Sequence, residues 1–248
     1  MERKIRVGAV SYLNTKPLLY GIEHSAVINE IDLAIDYPSR IAMMLLKNEI
    51  DVGLVPVAVI PKIKTHYIYT DYCIGSDGAV ASVCLFSEAP IDKIEKVLLD
   101  YQSQTSVQLV KILLKEYWKV NPKLIDAKED FRKEIKGTTA ALVIGDRALE
   151  QRKISEHVYD LGEAWKNFTG LPFVFAAWIS NKKLDDSFVQ KFNDANEYGV
   201  ENIKILLTHL RYDVFDLHQY YAKHISYNLD EQKRKGLNLY AMNAGKAM

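Results

Sequence analysis

Apolar runs of strand length alternate with amphipathic stretches as far as Ile179, and helical spacing takes over after Asp185. Ile5 to Val10 reads as a buried first strand. The polar stretch Ser11, Tyr12, Asn14, Thr15 and Lys16 follows. Pro17 then suits the first turn of a helix, because its missing N–H needs no intrahelical partner there. Ile31 to Tyr37 reads as a second strand and Arg40 to Lys47 as an amphipathic helix, with Ser39 placed to cap it. Asp51-Val-Gly-Leu-Val-Pro56 is a third strand that Pro56 stops, and a short helix is expected over residues 57–64. This β-α-β-α-β order implies parallel pairing with right-handed crossovers.

From Tyr72 to Phe86 two β-type runs flank Ser76-Asp-Gly78, which reads as a turn. Ser82 alternates with Val80 and Cys84 on one face and so can point inward; a hydroxyl bonded to its own backbone is the plainer account. Alternation restarts with a strand from Lys96 to Asp100 and a polar loop over 101–106. A helix from Val107 to Tyr117 follows, with Thr105 or Ser106 as its N-cap. Ala140 to Ile144 is a continuous apolar strand that Gly145-Asp-Arg147 turns into another helix, and a last strand is expected from Phe173 to Ile179. Beyond Asp185, Phe188, Phe192, Ala195, Ile203, Leu206 and Leu210 keep a helical period. Helices over 216–225 and 230–242 are each opened by an acidic cap.

The expected architecture is therefore α/β and two-lobed, with a helical C-terminal segment. Residues 1–86 plus 177–248 form one lobe and 87–176 the other, joined by two crossover strands. The cleft between them collects the loops beyond the strands, where ligands bind in open α/β sheets. That places Ser11, Tyr12, Asn14, Ser39, Pro56, Ser76, Ser82, Gln102, Thr105, Ser106, Gly145 and Asp146 as candidate site residues. These loops carry hydroxyls, amides and helix starts with few carboxylates, a composition suited to a small organic anion with more than one carboxylate.

Composition narrows the function by exclusion. Lys plus Arg and Asp plus Glu number 32 each, so no global field attracts nucleic acid or an acidic membrane. The six histidines lack metal-ligand spacing, and Cys73 and Cys84 sit in apolar runs as buried free thiols. No apolar leader precedes Ile5 and no stretch approaches the length of a membrane span, so a cytoplasmic protein is expected. No nucleophile elbow, P-loop, zinc-protease or dinucleotide fingerprint is present.

The opening stretch Val7-Gly-Ala-Val-Ser-Tyr-Leu-Asn-Thr-Lys-Pro-Leu18 resembles the signature of the chorismate dehydratase family, which serves the futalosine route to menaquinone. Further blocks are similar in order: Pro38-Ser39, Asp51 to Val57, Ser76 to Gly78 with Ser82-Val83, Asp100 to Ser106, Ala141 to Arg147, Asp160 to Trp165 and Gly170 to Ala176. The resemblance covers roughly residues 5–180, and the helical tail is compatible with it. It implies the clamshell fold of type II periplasmic binding proteins and a lyase needing no metal or organic cofactor. Chorismate would be converted to 3-[(1-carboxyvinyl)oxy]benzoate and water, by a monomer or homodimer.

Within that resemblance Asn14 cannot act as a base near neutral pH, so its amide is expected to hold a substrate carboxylate or the leaving oxygen. The proton would pass to the substrate's own side-chain carboxylate, with Ser39, Thr105 and Ser106 binding carboxylates. Asp146 is a rival general acid or base; a helix N-terminal carboxylate steadied by the dipole accounts for it equally well. A related enzyme of the same fold, 1,4-dihydroxy-6-naphthoate synthase, has a histidine where this chain has Gly145-Asp146, which argues against that activity. A solute receptor for a dicarboxylate is the alternative outside enzymes.

Overall fold

Burial follows the hydrophobic runs of the sequence. In the computed structural model, which describes residues 3–128 and 130–246, strand β1 (Ile5–Val10) leads through a 3-10 turn, Leu13–Thr15, into helix α1 (Lys16–Glu23). Strand β2 (Ile31–Asp36), helix α2 (Pro38–Leu46) and strand β3 (Val52–Pro56) follow. β1 pairs in parallel with both β2 and β3, the arrangement the alternating order implies. After a 3-10 segment at Val57–Lys62, β4 (Tyr72–Ser76) joins the same sheet.

The chain then leaves that sheet. β5 (Val83–Ser87), β6 (Lys96–Leu99), α3 (Gln104–Ile112), β7 (Lys123–Asp126), β8 (Thr139–Ile144), α4 (Asp146–Gln151) and β9 (His157–Asp160) build a second one, in the strand order β7-β6-β8-β5-β9. Helix α5 (Leu161–Thr169) brings the chain back, and β10 (Phe173–Ser180) lies antiparallel between β3 and β4. Helices α6 (Asp186–Glu201), α7 (Ile203–His209) and α8 (Leu217–Gln219), strand β11 (Ser226–Asn228) and helix α9 (Glu231–Lys246) end the described chain. β11 completes the first sheet as β11-β4-β10-β3-β1-β2.

Several details differ from the sequence reading, for local reasons. The chain bends at Asp77-Gly78, but the two runs beside it are not paired: β4 and β5 belong to different sheets, and residues 77–82 carry the chain between them. The expected lobe limits at 86 and 176 fall inside β5 and β10, each of which belongs whole to one sheet. Strands β7, β9 and β11 escape the hydrophobic pattern because they are only three or four residues long and mostly half-exposed. The long helical period after Phe188 breaks at Asn202, which separates α6 from α7.

Both crossings between the sheets are tied to one carboxylate. Asp160, buried at the start of α5, accepts through Oδ1 from the N–H groups of Val80 (3.0 Å), Gly162 (3.0 Å) and Glu163 (3.2 Å). Its Oδ2 accepts from Ala81 N–H at 2.7 Å. Ala81 sits at φ 62°, a left-handed conformation disfavoured for a residue with a Cβ. The same side chain that caps α5 thus also holds the strained outward crossing.

The first sheet supports the opening loop from behind. α1 packs on α6 with backbone close to backbone: a Cβ at Gly199 would lie 2.0 Å from Pro17 O, and one at Gly21 1.8 Å from Ala195 O. Two helices meet this closely only where both faces lack side chains, and α1 carries the loop at its N-terminus. Cys73 and Cys84 are buried free thiols. Among the described residues, no helix is long and apolar enough to cross a membrane.

Gly199→Ala tests the helix contact with a reversal of sign. In an open helix the change stabilises by about 1 kcal/mol. Here the methyl group must push α1 away, and a loss of about 2–3 kcal/mol in urea denaturation is expected.

Candidate active site

The loops beyond β1, β3, β6 and β8 meet between the two sheets around a cavity with about 490 Å³ of empty space, its open mouth included. Val10, Leu54, Ile74, Val80, Val83, Ile144 and Phe175 give it apolar walls. Its polar side chains are Tyr12, Asn14, Thr15, Ser103 and Ser106, with Pro38, Pro56, Gly145 and Ala176 completing the lining. Among the described lining residues there is no Asp, Glu, His, Lys or Arg. Among all described residues, no group of three His, Cys, Asp or Glu side chains is placed to hold a metal ion.

Four helix starts open onto this space. Thr15 precedes α1, Pro38 is the first residue of α2, Ser103 caps α3 and Gly145 precedes α4. Unpaired N–H groups and the positive end of the helix dipole collect there. Ser103, not Thr105 or Ser106, is the α3 cap, because its extended backbone lets its Oγ accept from Ser106 N–H at 3.2 Å. The hydroxyls of Ser103 and Ser106 also bond to each other at 3.0 Å. Ser39 does not cap α2 either: the helix begins two residues earlier than expected, at Pro38, and the cap position falls to Tyr37 without a side-chain bond.

Tyr12 closes one side of the cavity from the opening loop. Its hydroxyl donates to Gln102 Oε1 across the two halves of the fold. Its ring lies against Gly145, where a Cβ would come within 3.1 Å of it and φ is 67°, so only glycine fits. Gln102 is itself held by Arg147 Nη2 at 2.7 Å, and Arg147 forms a 2.7 Å ion pair with the buried Asp100. Burial pushes the Tyr12 hydroxyl well above the ordinary tyrosine range, with the Asp100 charge adding to it, so at neutral pH it is a donor and not a base.

Asn14 projects from the 3-10 turn, and its Oδ1 accepts from Thr15 Oγ1 at 3.2 Å. Asp146, at the start of α4, does not line the cavity; its Oδ1 accepts from Leu13 N–H at 3.1 Å. Burial raises the Asp146 carboxyl above the usual range, and the Leu13 N–H opposes that rise.

Of the residues singled out from sequence, Tyr12, Asn14, Pro56, Ser106 and Gly145 line the cavity. The others stand elsewhere. Ser11 is exposed on an outer groove beside Lys16 and Tyr20. Ser39 is half-buried outside the lining, and Ser76 is buried with an unpartnered hydroxyl. Ser82 accepts from Tyr220 OH at 2.8 Å, and Thr105 Oγ1 accepts from Ala58 N–H at 3.1 Å, a bond between the two halves. Sequence reasoning missed Thr15, Ser103 and Pro38 as lining residues, although all three lie in the stretches it marked. It had no signal for the tyrosines of the C-terminal segment that reach these loops.

The family described as menaquinone biosynthesis matches residues 5–246. Chorismate dehydratase of Thermus thermophilus is 27% identical over 264 residues, covering 96% of this chain and 94% of that protein. A crystal structure of protein AF1704 from Archaeoglobus fulgidus superposes with a TM-score of 0.75 at 14% identity, over 98% of this chain and 97% of the other. The periplasmic aliphatic sulphonate binding protein SsuA of Escherichia coli does so with a TM-score of 0.60 at 15% identity, over 99% and 92%. The architecture is thus the periplasmic-binding-protein fold, and the match along nearly the whole chain places this protein in the menaquinone biosynthesis family.

Proposed function

We propose that this chain is a chorismate dehydratase that removes water from chorismate to give 3-[(1-carboxyvinyl)oxy]benzoate. The observation that carries the reading is a cavity whose polar groups are all neutral donors at helix starts, in a chain resembling a dehydratase from end to end. Such a cavity suits a dicarboxylate. The α3 start with Ser103 and Ser106 offers one anion-binding end, and the α1 start with Asn14 and Thr15 offers another. In a site with apolar walls these dipoles act with little screening by water.

The reaction breaks the C–H bond at the ether-bearing ring carbon and the C–O bond of the neighbouring hydroxyl. The C–H electron pair becomes the last double bond of the aromatic ring, and the hydroxyl departs with a proton as water. Aromatisation supplies the driving force, so the step is written without a metal or organic cofactor. The base has to be a carboxylate already in the cavity. Asn14 does not titrate near neutral pH and Tyr12 stays protonated, which leaves the side-chain carboxylate of the substrate itself. The Asn14 amide holds that carboxylate or the departing oxygen. Closure of the two halves, through Tyr12–Gln102 and Ala58–Thr105, excludes water from the step.

Three measurements test this. Purified protein mixed with chorismate should convert the ring, seen by ultraviolet absorbance, with loss of one water by mass spectrometry and no effect of chelator. Binding without turnover would support a solute-binding role instead, and no binding would remove chorismate as the ligand. Asn14→Ala should lower kcat by about 100- to 1,000-fold at unchanged melting temperature, and near-normal turnover would take Asn14 out of the mechanism. Finally, kcat/KM should be level between about pH 6 and 9 and fall only as substrate carboxylates protonate near about pH 4. An acid arm clearly above the substrate's own would instead assign the proton to a protein carboxyl raised by burial, such as Asp146, which stands behind the lining on Leu13 N–H.

A further inference from the structure

Asn14 can hold a reacting group only if its own main chain is fixed, and a single 3-10 turn is a weak support. The bonds that hold it come from elsewhere. Leu13 N–H donates to Asp146 Oδ1 at 3.1 Å, Leu13 C=O accepts from Tyr221 OH at 2.8 Å, and Asn14 C=O accepts from Tyr227 OH at 2.8 Å. Three of the four backbone polar groups of Leu13 and Asn14 are therefore gripped by distant side chains. Tyr221 stands in the π turn Tyr220–His224 and Tyr227 in β11, both in the C-terminal segment. Both rings are buried, at 5% and 4% exposure, and none of the three residues lines the cavity. Each phenol commits its only proton to the loop and has none left for a ligand.

We infer that Asp146, Tyr221 and Tyr227 are positioning residues that hold Asn14 in its working geometry; this rests on the dehydratase reading of the cavity. The C-terminal segment, remote in sequence from the loop, is then part of the machinery that aims it. Asp146 belongs to the second sheet's half of the fold and Leu13 to the first, so this bond also couples the setting of Asn14 to closure. A hydroxyl lost from either tyrosine removes a bond that ties the turn to the C-terminal segment; Leu13 C=O then keeps only the Lys16 N–H of its own turn, and the turn is freer to shift.

Tyr221→Phe and Tyr227→Phe keep the ring and remove only the bond. Each is expected to lower kcat by about 10- to 100-fold with KM within about two-fold, as a misplaced group does. Amide hydrogen exchange at residues 12–16 should quicken while the sheets stay protected. Asp146→Asn should keep most of the activity, since its amide oxygen still accepts from Leu13 N–H, whereas Asp146→Ala should behave like the tyrosine variants. Tyr69→Phe removes a buried hydroxyl that has no partner and lies outside the cavity lining, and should change neither readout. Unchanged kcat in both tyrosine variants, or loop exchange no faster than in the parent, overturns the inference. Asp146→Asn as inactive as Asp146→Ala overturns the part given to Asp146. If the parent protein fails to turn over chorismate, the dehydratase reading falls, and hydrogen exchange in the same variants still decides whether the clamp exists.

Discussion

One buried carboxylate ties together the two segments that cross between the halves of this protein. Asp160 receives N–H groups from both segments that cross between the sheets, and with them it fixes Ala81 in a left-handed conformation. Each bond to a charged acceptor is stronger than a neutral one, and a buried carboxylate needs several of them to offset its desolvation. The result is a joint at which the outward crossing and the returning helix cannot move independently. Val80, on that joint, also lines the cavity, so the geometry of the hinge and the shape of the site are set together.

From this joint the site follows. Loops from both halves meet over a space with apolar walls, and polar bonds tie them together there, among them Tyr12 to Gln102, Ala58 to Thr105, Lys62 to Gln104 and Leu13 to Asp146. Inside, hydroxyls, amides and helix starts take the place of charged side chains. Such groups bind anions without presenting a cation that would pair tightly with the product.

The fold itself is shared with binding proteins such as SsuA, and the sheets and their order carry no chemistry. What differs between a receptor and an enzyme on this scaffold lies in the loops beyond the strands. Here the opening loop receives support out of proportion to its length: Gly21 and Gly199 bring α1 against α6 behind it, and two tyrosines and an aspartate grip its backbone. Rigid support of this kind serves orientation more than affinity.

Much of this was legible in the chain. The parallel β1–β2–β3 unit, the strand before Gly145, the buried thiols and the acidic caps at Asp216 and Asp230 all rest on patterns a few residues long. Five of the twelve residues proposed for the site line the cavity, and Asn14 is among them. The opening loop stood out because a polar cluster between a buried strand and Pro17 is itself a local signal. Residues such as Ser76, Ser82 and Thr105 have the same local signature, yet the fold buries them away from the cavity. Their surroundings depend on Ala58 and Tyr220, distant in sequence, and no periodicity reports such partners. The longer buried strands, the amphipathic helices and the acidic caps at Asp216 and Asp230 were settled by the sequence alone, since their energies are decided within a turn or two of chain. Which sheet β5 and β10 join, which hydroxyls face the ligand and what holds Asn14 were decided only by tertiary structure, because those energies come from contacts between segments up to 213 residues apart.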